Sequence, residues 1–327
     1  MKPALWMLAA AVTLAAQPKL LVNAKVDTHS AAGGLEPAFQ ALVTAQPQPA
    51  WIGYVVPSTR TYSLSCDLGN NNGWGASGVV HLEPPDHAMI LFRVVDNAVE
   101  RIRALSPDCQ LDAGDVPFHW LNDVQPAQSV ALLSKFATGH ETPYNGAMNA
   151  ISIHADPSAD QALERFLATD QPQALRMRVV NWEASRGRHG LDVLKNLIAN
   201  DSDLKVRERA VNALASSREP EAADLLIAIA RSDKNAKLRA QAIGDLGRKP
   251  TQKVISTLTN AIDNDPDLDV QKRAVSTLHS LPDGEGIPYL IQVVKTAKNP
   301  EVRKQAMNQL RSSSDPRALA FFEDVLK

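Results

Sequence analysis

Four stretches of this 327-residue chain repeat one line at a constant spacing. They read DLKVRERAVNAL (Asp203–Leu214), NAKLRAQAIGDL (Asn235–Leu246), DLDVQKRAVSTL (Asp267–Leu278) and NPEVRKQAMNQL (Asn299–Leu310). In each, apolar residues recur at i, i+4 and i+8, as in Val206, Ala210, Leu214 and Val270, Ala274, Leu278. That spacing is one face of a helix. The central Ala keeps the stripe thin, so a second helix can approach closely. A weaker copy, ALRMRVVNWE (Ala174–Glu183), lies upstream.

A second helical pattern of the same period falls between these lines. Val193, Leu194, Leu197 and Ile198 map onto Leu225, Leu226, Ile229 and Ala230, then onto Thr257, Leu258, Ala261 and Ile262, then onto Tyr289, Leu290, Val293 and Val294. The repeating unit is therefore two antiparallel helices, A then B. Short links such as NDSD (Asn200–Asp203) and NDPD (Asn264–Asp267) supply Asp and Asn to cap the next helix. One such pair cannot bury its apolar stripes alone, and stacked copies can, which predicts a solenoid.

The signature apolar-Arg-x-x-x-Ala-x-x-x-Leu resembles HEAT repeats, in particular the short bacterial, PBS-lyase type. The resemblance covers residues 158–327, roughly half the chain. It implies an all-α superhelical solenoid in which the recurrent arginine bonds loop carboxylates and ties adjacent units together. That structural role falls on Arg176, Arg207, Arg239 and Arg303. Gln271 stands where a fifth arginine would, so its unit is expected to be less rigid. Glu183 occupies the place of Leu214, Leu246, Leu278 and Leu310, so the first B helix is expected to shift register and pack through Trp182.

Residues 17–125 read differently. Strand-like runs (Leu20–Val26, Trp51–Val56, Tyr62–Cys66, Gly78–Glu83, Met89–Val95, Ala98–Leu105) surround one short helix, Glu36–Ala45. Asp96–Asn97 is a hairpin-type turn. We expect a small, β-rich α+β domain around an antiparallel sheet, with Cys66 and Cys109 stapling its edge. Residues 126–157 read as a linking, capping helix pair.

The first 16 residues resemble a signal peptide. Lys2 is followed by the apolar run Leu5–Leu14 and by Ala15 and Ala16. The protein is then exported, periplasmic or secreted, where an isolated cysteine pair usually bonds. Closing that loop stabilises by roughly 3–4 kcal/mol in the chain-entropy view. No run after this leader is long and apolar enough to span a membrane.

Residues 17–157 hold 7 Lys+Arg against 13 Asp+Glu, and residues 158–327 hold 26 against 23. The chain thus has an acidic front and a mildly basic back, too weakly basic to point to nucleic acid. Chemistry is sparse. HLEPPDH (His81–His87) places His81, Glu83, Asp86 and His87 near one another, but reads as a surface turn. DAGDVPFHW (Asp112–Trp120) sets carboxylates near His119 without a nucleophile. GNNNGWGASG (Gly69–Gly78) is a Gly/Asn loop carrying Trp74 and lacks the Gly-Lys-Ser/Thr of a phosphate loop. We expect no catalytic residue, no metal and no cofactor.

The repeats offer a surface instead. Opposite the apolar stripe, the B helices present Lys205, Arg209, Asn212, Lys237, Gln241, Lys272, Arg273, Lys304, Gln305 and Asn308. Lining a concave face, this polar, modestly basic row suits a protein or peptide partner; it lacks the aromatic interleaving of single-stranded nucleic-acid sites. The expected function is a non-enzymatic, monomeric interaction scaffold. The alternatives are a small-ligand or envelope-glycan binder working through the front domain, and a lyase-like enzyme, since HEAT-like repeats occur in bilin lyases.

Overall fold

In the first unit, β-branched and aromatic runs broken by Gly, Asn and Asp build β1 (Leu21–Val22), β2 (Lys25–Ser30), α1 (Leu35–Thr44), β3 (Ala50–Pro57), β4 (His87–Val95), β5 (Ala98–Leu105), β6 (Leu111–Asp112) and β7 (Pro117–Asn122), followed by α2 (Pro126–Ala137) and α3 (Pro143–Ile153). The computed structural model describes residues 21–45, 49–59, 64, 66, 83, 85–139, 143–249 and 251–325. The leader, most of the stretches Tyr62–Cys66 and Gly78–Glu83, His81, and the Gly/Asn loop with Trp74 lie outside these residues. The chain divides into two compact units, residues 1–166 and 167–327.

Five strands form one sheet in the order β2-β7-β3-β4-β5. It is mixed rather than antiparallel: β7 pairs in parallel with both β2 and β3, while β3, β4 and β5 are antiparallel. Pro117–Asn122, which is not among the strand-like runs, also enters the sheet, between β2 and β3, burying Phe118, Trp120 and Leu121. The β4–β5 hairpin turns at Asp96 (φ 50°) and Asn97 (φ 60°), the doubly positive pair a two-residue turn demands.

Aromatic contacts from α1 and α2 cover one sheet face, where the Phe39 and Phe92 rings lie 4.7 Å apart, edge to face, and both approach Phe136. The opposite face buries Met89, Leu91, Leu105, Cys109, Phe118 and Trp120. Cys66 packs on that cluster within disulfide-bonding distance of Cys109, their Cα atoms 5.2 Å apart. The cysteine pair therefore sits over a sheet face and not at the sheet edge. Gly146 lets α3 meet the strand it packs on, because a Cβ there would collide with the Ile102 carbonyl of β5. Helices α2 and α3 thus belong to the first unit, not to a separate segment 126–157.

After α4 (Pro157–Leu167), which spans the division, helices alternate as A and B. The B helices are α5 (Gln173–Glu183), α7 (Leu204–Ser216), α9 (Ala236–Leu246), α11 (Leu268–His279) and α13 (Pro300–Arg311). Between and after them run the A helices α6 (Gly187–Asn200), α8 (Glu221–Ser232), α10 (Gln252–Asn264), α12 (Ile287–Thr296) and α14 (Pro316–Val325). Asp203, Asn235, Asp267 and Asn299, at the same place in successive repeats, cap α7, α9, α11 and α13; each side chain accepts from the backbone N–H two positions on. All twelve stripe residues of these four B helices are at most 1% exposed.

The first B helix does not shift register. Leu175, Val179 and Glu183 stay on the buried face, and Trp182 is half-buried. A close approach holds the helix there: a Cβ on Gly190 of α6 would collide with the Glu183 carbonyl, as one on Gly286 would with that of Leu278. Gly190, Ala222, Val254, Gly286 and Ala318 recur with the period of the repeat, all buried, at the start of the A helices. Leu278→Ala should cost roughly 2–5 kcal/mol by leaving a cavity. Urea unfolding followed by circular dichroism checks this; a loss under about 1 kcal/mol would place Leu278 outside the core.

Candidate functional site

The surface of the second unit is built on a ladder of side chains that crosses from repeat to repeat. Arg176 is paired with Asp201, and both side chains are nearly inaccessible. Arg207 Nη2 lies 3.6 Å from Asp233, and Arg239 donates two bonds of 2.8 Å to Asp265. Each carboxylate also accepts a backbone N–H from its own link: Asp203 to Asp201, Asn235 to Asp233, Asp267 to Asp265. One aspartate therefore closes its turn and receives the arginine of the preceding repeat. The Asp265 carboxylate pushes the Arg239 guanidinium above its ordinary value.

At the next step both halves of the pair change together. Gln271 replaces the arginine, and Ala297 holds the position relative to it that Asp233 and Asp265 hold relative to Arg207 and Arg239. Gln271 Nε2 donates to the Asp265 carbonyl, 2.7 Å away. Arg303 donates to the carbonyls of Ala297 and Lys298, at 2.6 and 3.2 Å, and not to a loop carboxylate as the resemblance implied.

The ten residues proposed for the groove fall into two sets. Lys205, Arg209, Lys237, Arg273, Lys304 and Asn308 are exposed, while Asn212, Gln241, Lys272 and Gln305 are half-buried. Three of the half-buried set join neighbouring repeats, and Gln241 bonds within α9. Asn212 of α7 and Gln241 of α9 donate to Asp245, at 3.0 and 2.7 Å; Gln305 of α13 donates to Ser276 of α11 at 3.2 Å; Lys272 pairs with Glu301 at 3.7 Å. Arg273 is exposed but seated, since a Cβ on Gly244 would collide with its guanidinium. Lys272 and Arg273 thus lie against neighbouring helices of the array.

Asp245 is the residue the sequence reading missed. It stands where the other repeats carry Ala213, Thr277 and Gln309, the one carboxylate in that column, and it is 3% exposed. Burial raises its pKa above the ordinary carboxylate range, and Gln241, Arg248, Asn212 and Arg273 partly offset this. A cleft of about 360 Å³ at the ends of α8 and α10 is lined by Arg239 and Asp265, already engaged with each other.

In the first unit, Ser129 accepts or donates between Tyr54 Oη (2.8 Å) and His154 Nε2 (3.0 Å), and His154 Nδ1 meets the Ala150 carbonyl at 2.5 Å. All three side chains are buried, so this Ser–His contact satisfies core polar groups and cannot receive a substrate. Burial raises the Tyr54 phenol above its usual value. His87 pairs with Asp86 on the surface. His119 does not meet Asp112, whose carboxylate binds Asn23 and the Gly114 N–H; it faces Asp27 and His29 from the neighbouring strand.

Residues 183–247 and 255–327 match the family of HEAT repeats. The second unit is a HEAT-repeat array. No curated protein matches the chain in sequence. Among solved structures, human deoxyhypusine hydroxylase in complex with glycerol is 15% identical over 61% of this chain and 90% of that one, with a TM-score of 0.32. The complex of CpcE and CpcF of the phycocyanin lyase from Nostoc sp. PCC7120 is 17% identical over 57% and 76%, also with a TM-score of 0.32. At that level of likeness neither bears on what this chain does.

The folded chain holds the Asp245 proton more tightly than the unfolded chain does. As pH rises from the ordinary carboxylate range through the raised folded-state value, the HEAT array should lose stability. Asp245→Asn should remove that component. The difference between wild-type and variant urea midpoints, measured from pH 4 to pH 7, should therefore grow in favour of the variant; a constant difference would show that Asp245 titrates normally.

Proposed function

We propose that the protein is a non-enzymatic scaffold, acting outside the cytoplasm, that engages a protein or peptide partner through the B-helix face of its HEAT array. The observation that carries this reading is the set of exposed cations, Lys205, Arg209, Lys237 and Lys304, standing on α7, α9 and α13 above polar side chains already bonded across the repeats. Binding to a surface ordered in advance costs less side-chain entropy than ordering it on contact. The B helices also pack on their neighbours more closely than the A helices do, which suits them to the inner side of a curved array.

A basic row of this kind favours partners that present carboxylates. Trp182 is the one aromatic residue on the B helices, which argues against stacking on bases. Support for export comes from the leader at residues 1–16 and from two cysteines at bonding distance. Among the described residues no helix is long and apolar enough to cross a membrane.

The test is a combined reversal, Lys205→Glu, Arg209→Glu and Lys237→Glu, with capture from an envelope extract as the readout. Exposed substitutions usually change stability by no more than about 0.5 kcal/mol each, so the melting temperature should hold. Capture of the partner should fall, most of all at low salt, where surface charge is least screened. Capture unchanged in a folded variant would move the binding face elsewhere.

A further inference from the structure

Strands β2 and β7 run in parallel, with Asp27 opposite His119 and His29 opposite Leu121. Residues two apart on a strand share a face, so Asp27 and His29 point the same way, beside His119. Three donor atoms converge as a result. His29 Nε2 lies 3.0 Å from Asp27 Oδ2 and 3.3 Å from His119 Nδ1.

Hydrogen bonding alone satisfies this arrangement poorly. A neutral His29 carries at most one proton on Nε2, and that proton serves one of two acceptors. If His119 Nδ1 carries its proton instead, it donates to His29 Nε2, which then has none for Asp27.

The geometry points to a binding site for one divalent first-row transition ion, of the zinc type, formed by Asp27 Oδ2, His29 Nε2 and His119 Nδ1. Ligand atoms around a tetrahedral ion with bonds of about 2.0–2.1 Å sit about 3.3–3.4 Å apart; the two spacings from His29 Nε2 are close to this, and all three atoms lie within 4.8 Å of one another. Two imidazoles and one carboxylate select borderline ions over calcium or magnesium, which take oxygen. His119 Nε2 is buried, so Nδ1 is the nitrogen available to the ion. Asp27 is two-thirds exposed and His29 one-third, which leaves an entry path and a fourth position for water. The acidic balance of residues 17–157 draws cations towards this unit. A bound ion would clip edge strand β2 to β7.

The site can be tested on the full-length chain, stripped with chelator and kept under non-reducing conditions. Titration with Zn²⁺ by calorimetry, and with Co²⁺ by visible absorption, should give one ion per chain. Zn²⁺ should also raise the melting temperature, since an ion that binds the folded state alone stabilises it. His119→Gln and His29→Gln should each weaken binding by more than the roughly 10–100-fold that loss of an outer-shell partner costs, and should abolish the thermal shift. If His119→Gln fails to fold, His29→Gln, at the exposed edge, decides. Absence of saturable Zn²⁺ binding to the wild type overturns the proposal, as does wild-type affinity in a folded His29→Gln.

Discussion

The second unit depends on one small constraint: a helix pair whose apolar stripe has alanine at its centre can be covered only by another copy of itself. Ala210, Ala242, Ala274 and Ala306 bring the B helices close, and closeness makes register matter. The Arg–Asp pairs serve that register. Each ties the turn of one repeat to the B helix of the preceding one, and each is built from a carboxylate that the turn itself requires. Removing one partner would leave a buried charge uncompensated, which is far more costly than the pair is favourable.

The same closeness determines what the surface can present. Where helices touch, half-buried polar groups must find partners across the joint, so Asn212 and Gln305 are drawn inward and bond to Asp245 and Ser276. Long cations at the outer positions have no such obligation and stay in solvent. A surface polar in sequence therefore splits into a layer bonded between helices and an outer layer left in solvent.

Periodicity made most of the array legible. Stripe, caps and recurrent arginines all repeat with one period, and each repetition checks the others. Two features escaped because they break or hide the period. Asp245 occurs once in its column, and the role of Glu183 depends on how tightly Gly190 seats against it; the buried small residues from Gly190 to Ala318 were a signal open to the same reading. The first unit was harder, because nothing in it repeats. Pro117–Asn122 is short, starts with proline and carries a histidine, so its place inside the sheet is set by partners far away in sequence. For the same reason Asp27, His29 and His119 are brought together by strand order, which no local spacing reveals.

The step between α11 and α13 lacks the ionic tie that the earlier steps possess, since arginine and aspartate are replaced there by Gln271 and Ala297. Among the described residues, apolar contact, hydrogen bonds from Gln305 and Gln309 to Ser276 and a half-exposed Lys272–Glu301 pair join these two helices. In a one-dimensional chain of coupled units, cooperativity breaks first at the weakest link. Helices α12 to α14 are thus the block able to open on its own, giving the array a built-in place to yield while the remaining repeats keep their shape.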